Sequence, residues 1–97
     1  MKTGYFDAAY QEIEVGDIMF NPFLGDVWLV KKWVDIGMKP DEDESPYCLL
    51  LNASEEDYVC DLTEPSGFVL ECRESDEPER YKLLLAEMKQ LAEERIK

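Results

Sequence analysis

Three cysteines stand at positions 48, 60 and 72, twelve residues apart at each step. Thiolates at a regular spacing can build a zinc site, but only if they converge on one face with a fourth ligand. Each of these falls in a different short apolar segment, and a strand plus its turn repeats at about that length. The spacing therefore follows from strand periodicity, and the thiols are expected to be buried structural groups. The chain has no histidine, which removes the commonest general base and metal ligand and excludes Ser-His-Asp and Cys-His catalysis within the chain. Its five glycines are scattered without a phosphate-cradling spacing. The densest set of oxygen ligands, Asp41-Glu42-Asp43-Glu44, fails as a calcium loop. Pro46 stands where the sixth position wants glycine, and Asn52 where the twelfth wants glutamate. Acid–base work needs a carboxylate shifted by burial, whereas most acids here flank proline, serine or other acids in turns. With no activated nucleophile or base, the chain reads as non-enzymatic, with no catalytic residue, cofactor or metal.

The charge balance points to a partner. Ten basic residues against 23 acidic ones leave a net charge of −13 and a pI near 4.2. Residues 38–80 hold 14 of those acids and three basic groups, so the negative field belongs to the middle of the chain. Phosphate binding works through surplus Lys and Arg, which disfavours direct nucleic-acid binding and docking on anionic lipid, and favours a basic protein surface. No apolar run reaches the length of a membrane span. The N-terminus carries Asp7 before any apolar core of a signal could form, and an odd cysteine count gives no closed disulfide framework. The expected compartment is cytoplasmic.

The elements that must position these residues fit one domain, 1–97. The stretch from Glu14 to Asp35 organises it. Val15 to Phe20 reads as a strand with a bulge at Gly16-Asp17, Asn21 to Asp26 as a loop, and Val27 to Val34 as a second strand. In that second strand Trp28, Val30 and Val34 share one face, and Val27, Leu29 and Trp33 the other. Both faces need cover, so one tryptophan fills the core while the other packs under a helix or anchors an interface. Tyr5, Phe6, Ala9, Tyr10 and Ile13 fall at helical spacing, predicting a short helix or turn over 5–12. Residues 37–46 read as an exposed acidic loop. Tyr47–Leu51, Tyr58–Leu62 and Phe68–Cys72 read as three further strands, with Tyr58, Cys60 and Leu62 on one face and Phe68, Leu70 and Cys72 inward. Polar turns at 52–57 and 64–67 separate them. Ser75 to Glu79 predict a helix start, with Asp76 and Glu79 as a capping box and Pro78 in the first turn. Tyr81, Leu84, Leu85, Met88, Leu91, Ala92 and Ile96 then form an apolar stripe.

With the strands placed, Val15-Gly16-Asp17-Ile18 followed by Gly25-Asp26-Val27-Trp28-Leu29-Val30 resembles the opening of small SH3-like barrels, which often pair a Gly-Asp-Ile/Val strand with one carrying Trp-x-Val. The resemblance implies an α+β fold: a five-stranded SH3-like antiparallel barrel over about 13–74, a C-terminal α-helix over about 76–96, and a short N-terminal helix or turn. Barrel relatives that bind nucleic acid carry basic loops. Here the corresponding loops hold Asp41 to Glu44 and Glu55 to Asp57, so that function does not carry over. Short, acidic and without a catalytic set, the chain is also similar to accessory proteins of phages and prophages, some of which inhibit host nucleases by presenting carboxylates where DNA phosphates would sit. The expected function is a protein-binding module, a DNA-mimic inhibitor in style, that occupies a basic surface such as that of a nucleic-acid-binding protein. Asp41, Glu42, Asp43, Glu44, Glu55, Glu56 and Asp57 would supply the field, and Phe23 and Leu24 at a loop tip the apolar contact. The alternative is an assembly protein that forms a homo-dimer or larger homo-oligomer through its C-terminal helix stripe and the second face of the Trp33 strand. Leu83, off the main stripe, is expected either to be an exposed contact like Phe23 and Leu24 or to widen the buried face.

Overall fold

The computed structural model describes residues 1–63 and 67–96, the last of these for its backbone alone. Strands β1 (Lys2–Phe6) and β2 (Glu12–Glu14) form a hairpin. Strands β3 (Ile18–Asn21), β4 (Asp26–Lys32), β5 (Tyr47–Leu51), β6 (Val59–Asp61) and β7 (Val69–Cys72) form an antiparallel sheet in the order β6-β5-β4-β3-β7, and helix α1 (Pro78–Ile96) closes the chain. The architecture is α+β, with the five sheet strands where the apolar runs predict them. Among the described residues no ladder joins β6 to β7, so the sheet is open and these two strands are its edges. The turn expected at 64–67 lies, except for Gly67, outside the described residues.

Strand alternation sorts the apolar residues onto the two sides of the sheet. On one side Met19, Trp28, Val30, Leu49 and Leu51 pack with Leu62 and, from the β1–β2 hairpin, Ile13 and Tyr5. On the other, Ile18 and Leu29 pack with Cys72 under Tyr81 and Met88 of α1. The helix covers only part of that side. Further along it, Trp33 lies over Cys48 and Leu50 with Ile36 and Val59 against it. The second tryptophan is thus buried, not under the helix but beside it.

Several expectations change in the structure. Of the short helix or turn expected over 5–12, the turn forms, with the Tyr10 N–H donating to Asp7 O at 3.0 Å, and it is flanked by strands. One carboxylate oxygen of buried Asp7 accepts the N–H groups of Ala9 and Gln11 (2.9 and 2.8 Å) and closes the turn. The strand expected to reach Val34 stops at Lys32, where Trp33–Ile36 winds into a 3-10 helix ended by Gly37 in the left-handed region; Val34 faces solvent. In β7, Leu70 pairs with Met19 and Cys72 with Ile18, so Glu71 is an extra residue. A one-residue bulge exchanges faces, which is why Phe68 and Leu70 pack on the hairpin side while Cys72 turns to the helix. The helix begins with Pro78, suited to the first position because its missing N–H would have no partner there. Asp76 lies in the preceding turn, its N–H donating to Arg73 O (3.1 Å), and does not cap. Leu91 is exposed, leaving Tyr81, Leu84, Leu85, Met88 and Ala92 as the stripe among the described side chains; that of Ile96 lies outside them.

Two buried carboxylates join the layers. The second oxygen of Asp7 accepts the Leu70 N–H of β7 at 3.0 Å. Asp17, 1% exposed, receives a bidentate guanidinium from Arg73 (2.9 and 2.8 Å) together with the Glu14 N–H (2.8 Å). Arg73 also donates to Glu12 O (2.8 Å) and pairs with Glu14 Oε2 at 2.9 Å. Hydrogen bonding to Asp17, foremost, raises the guanidinium pKa above its usual range. Tyr81 donates its hydroxyl to Gly16 O, docking the helix start on the same turn, where Gly16 adopts a φ of +96° that favours glycine.

Asp17→Asn is expected to cost about 3–5 kcal/mol in urea unfolding, since it leaves the Arg73 cation half-paired in a largely buried site; a loss below about 1 kcal/mol would show that the pair contributes little. Among the described residues the buried indole N–H of Trp33 has no hydrogen-bond partner, whereas that of Trp28 donates to Asp26 Oδ1 at 2.7 Å. Trp33→Phe is therefore expected to stay within about 1 kcal/mol of the parent, and Trp28→Phe to lose about 1–3 kcal/mol, in the same assay.

Candidate protein-binding surface

The β3–β4 turn shows how sequence aims a side chain outward. Asn21 accepts on its side-chain oxygen the N–H groups of Phe23 and Leu24 (2.9 and 3.3 Å), and its backbone oxygen accepts the Gly25 N–H at 2.8 Å. Gly25 takes a φ of +75° to complete the reversal. With its own backbone so occupied, the turn holds Phe23 and Leu24 out at 89% and 72% exposure. At the same end, Tyr58 lies edge-on to Trp28 (5.9 Å between ring centres) and remains 61% exposed.

Glu55, Glu56 and Asp57 occupy the β5–β6 loop, which leaves β5 through Asn52 and Ala53, both in the left-handed region. Glu55 and Glu56 are exposed. Asp57 is not free: Arg95 of α1 donates to it at 2.8 Å, so it ties the helix end to the loop. The other acidic loop is a turn in which Glu44 Oε1 accepts the Asp41 N–H (2.9 Å) and Asp41 O accepts the Glu44 N–H (3.0 Å). That occupies the Glu44 carboxylate and leaves Asp41, Glu42 and Asp43 exposed. Ser45 anchors the loop, donating from N–H and hydroxyl to Asp61 Oδ1 of β6, each at 2.9 Å.

The seven acids do not form a single patch. One loop enters β5 at Tyr47 and the other leaves it after Leu51, so they sit at opposite ends of that strand. Because β4 runs antiparallel to β5, with Trp28 opposite Leu51, Phe23 and Leu24 join Glu55 and Glu56 at one end, while Asp41 to Asp43 sit at the other.

A feature absent from the sequence reading is a groove of about 500 Å³ between α1 and the uncovered part of the sheet. Leu29, Leu50 and Ala53 line it, with Tyr81 and Leu85 from the helix and Lys31 and Lys89 beside Asp35, Glu55 and Glu56. Its signal in the sequence is Lys31, which shares a strand face with Leu29 and breaks the apolar run. The charges around it are mixed, so its lining selects no one ligand class.

The cysteines lie in three different strands, Cys48 in β5, Cys60 in β6 and Cys72 in β7. Cys48 packs with Trp33, Cys60 on the hairpin side and Cys72 under the helix. Among the described residues no cluster of Cys, Asp or Glu is placed to hold a metal ion, and no helix is long and apolar enough to cross a membrane. No protein-family model matches the chain, nor does any curated protein or solved structure.

Burial pushes the Cys48 and Cys60 thiols from 9.0 up to about 11, with the nearby Asp61 carboxylate adding to both. A folded-state value above the unfolded one gives stability that is whole below pH 9 and is lost as the pH rises toward 11. The melting temperature is expected to fall across that window, and to fall less in a Cys48→Ala/Cys60→Ala variant. Equal slopes for the two proteins would show that these thiols are not the linked groups.

Proposed function

We propose that this protein is a non-enzymatic binding module that docks an acidic surface on a basic partner protein, with the phage-type inhibitor of a nucleic-acid-binding protein as its model of action. The observation that carries the reading is the end of the sheet at which Glu55, Glu56, Phe23, Leu24 and Tyr58 are all exposed. Exposed aromatic and aliphatic anchors at the same end of a sheet as exposed carboxylates suit a docking surface. Asp41, Glu42 and Asp43 extend the same field to the far end of β5. An SH3-like scaffold agrees with the strand order: β7, the last strand, returns to pair with β3, one connection short of a closed small barrel.

Homo-oligomerisation through α1 would draw on Leu83 and Leu91, both exposed on its outer side. Glu87 and Glu94 flank Leu91 there, and a two-fold contact would bring like charges together. The acidic docking surface is the better supported reading.

The test compares proteins retained from a host lysate by the immobilised parent with those retained by Phe23→Ala/Leu24→Ala and Glu55→Gln/Glu56→Gln variants. The captured partner is expected to elute as sodium chloride rises, because the attraction between exposed charges is screened. Each double variant is expected to weaken binding about tenfold while leaving the melting temperature unchanged. Retention indifferent to both salt and substitution would contradict the reading.

A further inference from the structure

The two edges of the sheet are treated differently. On β7 the outer side is occupied: Leu70 N–H donates to Asp7 Oδ2 at 3.0 Å, and Ala8 N–H donates to Phe68 O at 2.9 Å. On the other side β6 is the last strand. Its inward bonds run to β5, from Leu51 N–H to Tyr58 O and from Leu62 N–H to Tyr47 O, with Cys60 opposite Leu49 between them. Alternate residues of an antiparallel strand face toward and away from the neighbour. Val59 and Asp61 therefore direct their N–H and C=O groups outward. Sheets blunt such edges with lysine, proline, bulges or short length. The run from Tyr58 to Leu62 carries neither lysine nor proline, and the side chain of Asp61 is engaged by Ser45.

The two acidic loops flank this edge, one at each end. The Asp41–Glu44 loop is fastened to Asp61 through Ser45, and Glu55 to Asp57 lead directly into Tyr58. The run from Tyr58 to Leu62 between them spans roughly 17 Å at the usual rise per residue, with the three-residue strand β6 at its centre. The edge thus offers main-chain hydrogen bonds along its length and negative charge at each end.

We propose that β6 is where the partner docks, by accepting an extended basic segment as an additional strand. The segment's main chain bonds to Val59 and Asp61, and its basic side chains reach Asp41 to Asp43 at one end and Glu55 and Glu56 at the other. Strand addition takes its affinity from the main chain and its choice of partner from the flanking side chains. This mode presupposes the acidic docking surface described above and specifies how a partner lies on it.

Hydrogen exchange followed by NMR on the whole chain tests the mode with two synthetic peptides. One is Lys-Val-Lys-Val-Lys-Val-Lys, and the other is the same sequence N-methylated at every internal residue, equal in charge but unable to donate to a ladder. The Val59 and Asp61 amides are expected to exchange about tenfold more slowly or better with the first peptide and to be unaffected by the second. Equal protection by both peptides, or binding that perturbs the acidic loops but leaves those two amides unprotected, overturns strand addition while acidic docking stands. Failure of both peptides to bind at low salt overturns the two together. Protection of the same amides in the protein alone as its concentration rises makes the occupant a second copy, and overturns the basic partner.

Discussion

The guanidinium of Arg73 is the contact on which the rest of this small fold depends. It follows β7 directly and reaches the Asp17 carboxylate before β3, the Glu14 carboxylate and the Glu12 carbonyl of β2. A single side chain thus joins the hairpin layer, the first sheet strand and the segment leading to α1. Taking a carboxylate out of water is costly unless its lone pairs are met, and here they are met twice over, by Arg73 and by the Glu14 N–H. Asp7 repeats the device at the other end of the hairpin, using three backbone N–H groups and no cation. Among the described residues Asp17 and Asp7 are the two buried acids. The fold uses them as bolts.

That division gives the acidity of the chain two meanings. Buried acids answer to specific donors and set the geometry, while loop acids face water and set the field. Arg80 and Arg95, like Arg73, are engaged by carboxylates, Arg80 with Glu71 and Glu77 and Arg95 with Asp57. Asp41 to Asp43, Glu55 and Glu56 are left as surplus charge on two loops. Asp7 also blocks the β7 edge, so one buried carboxylate both fastens the hairpin and protects a strand from pairing. Among the described residues the β6 edge has no such guard, and the surplus charge brackets it.

Much of this was legible in the residues. Five apolar runs of strand length separated by Gly, Pro, Asn and Asp predicted the five strands of the sheet, and the spacing of Tyr81, Leu85, Met88 and Ala92 predicted the helix. The N-terminal hairpin was not legible, because Tyr5, Ala9 and Ile13 happen to fit a helical period, and the deciding contact, Asp7 with Leu70, spans 63 residues. Arg73 and Asp17 lie 56 apart, and nothing local marks either as buried. The reversal of Cys72 depends on a bulge at Glu71 that alternation alone does not announce. The separation of the two acidic loops was there to be read: two loops flanking one strand must stand at its opposite ends. Grouping Phe23 and Leu24 with Glu55 and Glu56, but not with Asp41 to Asp43, needed only that antiparallel logic.

Buried carboxylates make the hairpin and the sheet one cooperative unit. Native-state hydrogen exchange in graded urea measures this directly, at the Glu14 amide bound to Asp17 and the Leu70 amide bound to Asp7. Both are expected to open only with global unfolding, at the same free energy as the Leu29 and Val30 amides in the centre of the sheet. Exchange of Glu14 and Leu70 through a lower-energy opening that leaves Leu29 and Val30 protected would show the hairpin to be a separate flap, and would contradict the account.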